Sequence, residues 1–208
     1  MKNIFVKGGV ILEENTCEKC GYTILDYEKT FYLHGKKTEE ILCSECFSRQ
    51  MAESANVQLE EKIKPHTIEI SGTGGKKHLF YIHRIVFPTG ISLEATEIQE
   101  GEAEGYKTAV EGDLDCDQTM LLEKLKNKIK KLVSQKYIEE TEWGNRSSIK
   151  NNEVAGRIEW DEQYEGRLPL VIIDGKKYTW EELGEMLMSF EGWDFKLKIF
   201  ENWEEDVE

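Results

Sequence analysis

The stretch CEKCGYTILDYEKTFYLHGKKTEEILCSECF, residues 17–47, decides the N-terminal fold. It holds four of the chain's five cysteines as two Cys-x-x-Cys pairs, with residues 21–42 between them. Gly21 follows the first pair directly and supplies the positive φ that a tight turn around two converging sulfurs needs. β-Branched and aromatic residues on both sides of residues 34–37 predict a hairpin of two short strands.

The second cysteine pair leads into a helix. The segment SRQMAESANVQLEEKI, residues 48–63, contains good helix formers and no breaker before Pro65. Cys43 and Cys46 therefore fall at the N-terminus of the predicted helix. Backbone N–H groups and the helix dipole favour the thiolate form at such a position.

Composition and charge narrow the class of protein. The chain has 208 residues and a net charge of 27 − 41 = −14, which disfavours general attraction to phosphates or anionic lipid. No apolar run approaches the roughly 20 residues that span a bilayer, and MKNIFVKGGVILEEN lacks the features of a signal peptide. We expect a cytoplasmic protein that does not contact membrane, in which paired cysteines indicate metal rather than disulfides.

Four thiolates suit one tetrahedral Zn²⁺ and leave no open coordination position, which predicts a structural site with one ion per chain. A cysteine turn, a hairpin and a helix with the second ligand pair resemble the treble-clef zinc fingers. The resemblance covers residues 15–63 and implies Cys17, Cys20, Cys43 and Cys46 as the ligands. Nuclease members of that group carry catalytic histidine and asparagine on the hairpin and helix. Here only His34 stands near the hairpin tip, so we expect no nuclease.

The segment after Pro65 alternates polar and apolar residues. It predicts strands near 66–71, 78–87 and 91–98, and a fourth strand in YKTAVEGD, residues 106–113. An amphipathic helix follows, with Asp117 as its N-cap. Its apolar positions are Leu121, Leu122, Leu125, Ile129, Leu132, Val133 and Tyr137. The histidines of these strands receive no functional role.

The C-terminal part predicts a compact unit. Residues 170–173 form an apolar strand, Asp174-Gly175 a type I′ hairpin turn, and Thr179 with Glu182 a capping box. The helix then buries four apolar residues and ends at Gly192, and residues 193–199 alternate as a half-buried strand. The four helix residues predicted to be buried are Leu183, Met186, Leu187 and Phe190. Residues 154–200 resemble a module of uncharacterised bacterial proteins, which implies no known activity.

The fold class predicted is α+β, with a treble-clef-like finger before a mixed or antiparallel sheet and two main helices. The predicted units are a zinc finger at 1–64, a β-rich segment with its helix at 65–140, and the strand–hairpin–helix–strand unit at 154–200. The last two could form one domain. Residues 141–153 are expected to be a linker or exposed loop, and 201–208 an acidic tail.

Three functions stay open. The closed metal site and acidic surface favour a regulatory protein that binds another protein, with a basic partner as one option. A hydrolase would use acids such as Asp113, Asp115, Glu159 or Asp161, and no catalytic constellation stands out among them. Nucleic-acid binding through the lysine-rich face of the long helix is disfavoured, because that face has no arginine and no exposed aromatic residue. Alternatively, the nine acids of residues 94–117 could imitate the charge of DNA.

Overall fold

The computed structural model describes residues 4–7, 10–13, 15–28, 30–34, 39–100, 102–140 and 147–201. Helices and antiparallel sheets are both present, which confirms the α+β class. The predicted hairpin turn at 34–37 and the acidic tail lie largely outside the described residues. None of the described helices is long and apolar enough to cross a membrane.

The N-terminal part consists of short antiparallel hairpins followed by a helix. The paired strands are β1 (Ile4–Lys7) with β2 (Val10–Glu13), β3 (Asn15–Thr16) with β4 (Thr23–Ile24), and β5 (Phe31–His34) with β6 (Glu39–Leu42). Helix α1 spans Ser44–Ala55. The helix is shorter than predicted, because Asn56 adopts a left-handed conformation with φ 54° and its backbone N–H caps α1. Residues 57–64 are not helical.

A four-stranded antiparallel meander forms the centre of the protein. Its strands are β7 (His66–Ser71), β8 (Lys77–Phe87), β9 (Gly90–Gln99) and β10 (Glu102–Gly112), and helix α2 (Gln118–Ser134) follows. The predicted strands are confirmed to within a residue or two, except that β10 begins earlier. Asp117 caps α2 as predicted, since its carboxylate accepts a hydrogen bond from the N–H of Met120 at 2.9 Å.

The main core lies between this sheet and α2. Four residues of α2, spaced four residues apart, are buried there: Leu121, Leu125, Ile129 and Val133. They pack on side chains from the central strands, including Phe80, Ile82, Leu93 and Val110. The amphipathic pattern was therefore correct, but α2 ends before Tyr137, which lies just ahead of the next strand.

The C-terminal part has two small sheets and a helix. β11 (Ile138–Glu140) pairs with β12 (Ser147–Ile149), so residues 147–149 are a strand and not the predicted loop. β13 (Arg157–Trp160), β14 (Pro169–Ile173) and β15 (Lys176–Tyr178) form a three-stranded antiparallel sheet. Helix α3 spans Trp180–Leu187 and continues as a 3₁₀ turn, Met188–Phe190.

Two local predictions in this part are confirmed. Asp174 and Gly175 have φ of 52° and 72°, as a type I′ turn requires. The capping box forms with both of its hydrogen bonds, between Thr179 Oγ1 and the N–H of Glu182 and between the Thr179 N–H and the Glu182 carboxylate.

Two other predictions here are wrong. Leu187 is exposed rather than buried in the core of α3. Residues 193–199 have the expected alternation but belong to no sheet in the described structure, and their apolar side chains are exposed. The alternating pattern alone does not produce a strand here, since no described strand pairs with the segment.

Candidate metal centre

The first cysteine turn is held by backbone hydrogen bonds. The Cys17 N–H donates to the Tyr22 carbonyl at 2.8 Å, and the Gly21 N–H donates to the Cys17 carbonyl at 2.9 Å. Gly21 has φ +73°, the predicted positive value. The short strands β3 and β4 enter and leave this turn, so they fix the position of both sulfurs.

The second turn starts α1. Strand β6 ends at Leu42, and Cys43 is the N-cap residue of the helix. The Phe47 N–H donates to the Cys43 carbonyl at 3.0 Å. The two turns are also joined directly, because the Glu18 N–H donates to the carbonyl of Ile41 at 2.9 Å. The predicted location of the second pair at a helix N-terminus is confirmed.

The four sulfur atoms converge. The Sγ atoms of Cys17, Cys20, Cys43 and Cys46 all lie within 4.8 Å of one another, and those of Cys20 and Cys43 are 3.9 Å apart. Tetrahedral zinc with Zn–S bonds of about 2.3 Å separates its sulfurs by about 3.8 Å. All four are free thiols, and all except Cys20 are buried. The donor set therefore fits one tetrahedral metal ion.

The thiol pKa values also indicate that a cation suits this site. Burial raises the pKa of Cys17, but backbone hydrogen bonds around Cys43, Cys20 and Lys19 outweigh it and bring the value to about 7. Burial raises the pKa of Cys43 to about 11 and also raises that of Cys46, with the neighbouring thiols adding to the effect. Four thiolates at this spacing therefore need a positive ion between them.

Residues within and beside the second turn attach it to the central sheet, which sequence reasoning missed. Ser44 Oγ lies 3.3 Å from Tyr81 Oη in the interior. The carboxylate of Glu45 lies 3.8 Å from the guanidinium of Arg84. Tyr81 and Arg84 both belong to β8, and α1 lies against that strand. The four-cysteine site and the main sheet are therefore parts of one packed structure.

Arg84 itself is buried and connects three segments. One guanidinium nitrogen donates to the Gln118 side-chain oxygen at 2.8 Å and to the Glu60 carbonyl at 3.2 Å. Gln118, the first residue of α2, in turn donates to the carbonyl of Gln58 at 2.9 Å. Desolvation lowers the pKa of Arg84, and the nearby carboxylate of Glu45 opposes that change. The irregular residues 57–64 are thus tied to both the sheet and α2.

A second buried polar cluster lies at the opposite end of the sheet. His78 Nδ1 lies 2.6 Å from Glu97 Oε1, and both side chains are almost fully buried. The other Glu97 oxygen accepts hydrogen bonds from the Gln99 amide and from the Tyr106 N–H. A bulge in β10 between Ala103 and Lys107 interrupts the pairing with β9, so this N–H is available to the Glu97 carboxylate. Glu97 is therefore a core residue and not part of the acidic surface that the sequence suggested.

The hydrolase candidates do not assemble. Asp113 and Asp115 are exposed between β10 and α2, whereas Glu159 in β13 binds Arg157 and Lys107. Asp161 is buried and accepts a hydrogen bond from the Gln163 N–H. Among the described residues, the four cysteines are the only group of three or more metal-ligating side chains close enough to share an ion.

Two stretches of the chain match known domain families. Residues 61–134 match DUF7686 and residues 137–204 match DUF7713, each described as a domain of unknown function. The two matches meet between α2 and β11, and the cysteine pairs lie outside both. No curated protein matches the chain. No solved structure matches it either.

Proposed function

We propose that this chain is a zinc-binding interaction protein, in which Cys17, Cys20, Cys43 and Cys46 hold one structural Zn²⁺ and the surrounding surface binds another protein. The convergence of the four Sγ atoms within 4.8 Å carries the proposal. A four-thiolate set favours zinc, and it leaves no position for substrate or water on the ion. The metal therefore acts on the fold rather than on a reactant.

The ion stabilises the contact between α1 and the central sheet. The second cysteine turn contacts β8 through Ser44 and Glu45, so an ion that fixes the turn also fixes how α1 lies on the central sheet. Zinc binding supplies folding free energy to units that are too small to have a large core. The N-terminal unit has only a small core, because few residues besides the cysteines are buried in it.

The interaction role is supported by the charge distribution. The net charge is −14, and acids remain exposed at the end of β10 and before α2: Glu111, Asp113, Asp115 and Asp117. Such a surface attracts a basic protein partner and repels nucleic acid. On α2, Lys126 is already paired with Glu123, and Lys128 donates to the Ala109 carbonyl.

Metal content tests the first half of the proposal. Protein purified without added metal is expected to contain one zinc per chain by elemental analysis, and no iron. The Cys43→Ser variant is expected to lose that zinc, whereas Cys116→Ser, the chain's remaining cysteine, keeps it. Wild-type protein without any transition metal would overturn the assignment.

A charge-matched pair of variants tests the second half. Asp113→Asn with Asp115→Asn removes two exposed acids beside α2, and Glu185→Gln with Glu191→Gln removes two exposed acids of the α3 region. Both have the same net charge. We expect basic partners captured on the wild-type protein at low salt to be lost from the first variant only. Equal capture by both variants, or none by the wild type, would contradict the proposed surface.

A further inference from the structure

Residues 193–200 include the three most exposed large apolar side chains of the described residues. Trp193, Phe195, Leu197 and Ile199 are exposed by 63%, 89%, 73% and 72%, and charged residues alternate with them. This period of two is typical of a strand with one apolar face. Contiguous exposed apolar surface of this kind marks an interaction site.

The same part of the chain contains a sheet edge to which a further strand could be added. β13 is an edge strand of its sheet, and no described strand pairs with its outer side. Ile158 and Trp160 on β13 are exposed by 58% and 68%. Ile158 lies opposite Val171 of β14, which is buried in the cluster that includes Met186 of α3. The apolar face of the sheet therefore continues onto β13, beyond the area that α3 covers.

The two features match in parallel register. Apolar residues then meet apolar residues, and Asp194 and Lys196 meet opposite charges on β13. The pairs are Arg157 with Asp194, Ile158 with Phe195, Glu159 with Lys196 and Trp160 with Leu197. Moving the segment by two residues puts Arg157 beside Lys196, and the antiparallel register that pairs Ile158 with Leu197 puts Arg157 beside Lys198. Charge complementarity thus favours the parallel register over these two alternatives.

The side chains on the charged face of β13 already have partners that such pairing would keep. Glu159 accepts hydrogen bonds from the Arg157 guanidinium and from Lys107 Nζ at 3.0 Å. Arg157 also donates to the Gly105 carbonyl of β10. A strand added at the edge would use the free backbone groups of β13 and would not displace these contacts.

We propose that residues 193–200 of one copy add to β13 of a second copy, and that the exchange is reciprocal, so that the protein is a two-fold symmetric dimer. The segment joins no sheet in the described part of its own chain, and its complement is exposed on the same chain, which is the arrangement that a closed symmetric pair uses. This inference does not depend on the candidate metal centre, because none of the residues it uses belongs to the four-cysteine cluster.

Association of the full-length, zinc-loaded protein tests the proposal by light scattering and sedimentation equilibrium. The wild type is expected to be a dimer. Phe195→Asp and Trp160→Asp are each expected to weaken association by roughly 100-fold, since each variant damages both contacts of the pair. Met120→Asp, at an exposed apolar position on α2, is expected to leave the dimer intact.

Mixing the variants distinguishes exchange from other kinds of dimer. A mixture of Phe195→Asp and Trp160→Asp chains retains one undamaged contact, namely the segment of the second variant on β13 of the first. Such a mixture is expected to form heterodimers more tightly than either variant self-associates. A monomeric wild type, in which residues 193–200 pair within their own chain or not at all, would overturn the proposal. A dimer that resists both variants, or a mixture without rescue, would do so as well.

Discussion

Ser48 Oγ donates a hydrogen bond to the main-chain carbonyl of Arg84 at 2.7 Å, inside the protein. β7 pairs with β8 only as far as Ile82, so residues 83–87 of β8 form an edge that β7 leaves uncovered. Helix α1 covers this edge, and its serine hydroxyl replaces a donor that a neighbouring strand would supply. The helix that carries two candidate zinc ligands is therefore also part of the sheet's hydrogen bonding.

Replacing Ser48 with alanine should destabilise the protein. The buried Arg84 carbonyl would lose its side-chain donor, at a cost of about 1–3 kcal/mol. Chemical denaturation followed by fluorescence measures the free energy of unfolding. Ser54→Ala is the matched control, because Ser54 lies in the same helix and its exposed hydroxyl bonds only to the Gln50 carbonyl within that helix. Equal losses in the two variants would show that Ser48 has no special role.

Removing one cysteine should unfold the N-terminal unit. Metal binding contributes on the order of 10 kcal/mol to small zinc units, and Cys43→Ser removes one ligand of the four. Hydrogen exchange is expected to speed up across residues 15–63, with much smaller changes in α2. Retention of both zinc and the wild-type melting profile by this variant would show that Cys43 is not a ligand.

Substitution of Gly105 tests the buried Glu97 cluster. A Cβ at Gly105 would meet the Glu97 carboxylate and the Gln99 amide, and Gly105 has φ +79°. Gly74 has a similar φ, +69°, but a Cβ there would meet nothing within 4 Å. Gly74→Ala should therefore show only the backbone cost of about 1 kcal/mol. Gly105→Ala should lose at least about 2 kcal/mol more. Thermal and chemical unfolding of the two variants measures the difference, and equal losses would mean that the Glu97 cluster relaxes freely.

How far the sequence predicts this structure depends on whether the signal is local. The strands of the central sheet, the Asp117 cap and the Asp174-Gly175 turn follow from neighbouring residues, so their patterns suffice. The cysteine pairs are the same kind of signal, because the spacing within each pair already brings its two sulfurs together. These features were predicted correctly.

Features that depend on distant residues were missed. His78 and Glu97 are 19 residues apart and meet only once β8 and β9 pair. The contact between Ser48 and the β8 edge arises because β7 is shorter than β8, which no local pattern reveals. Residues 193–199 alternate like a strand but form none in the described chain, because a pattern specifies which face is apolar but not what covers it.

Zinc affinity should rise steeply with pH. Cys43, whose pKa is raised to about 11, and Cys46, whose pKa is also raised, are protonated at neutral pH without metal, and each must release a proton to bind the ion. These two released protons increase the apparent affinity at least roughly 100-fold for each pH unit, and Cys17, whose pKa is about 7, steepens the slope further below pH 7. Competition with a chromophoric chelator between pH 6 and 7 measures this slope, and Cys116→Ser serves as the control with an unchanged slope. A slope near zero would mean that the thiols are already ionised before the metal binds, so that burial does not hold these protons in place.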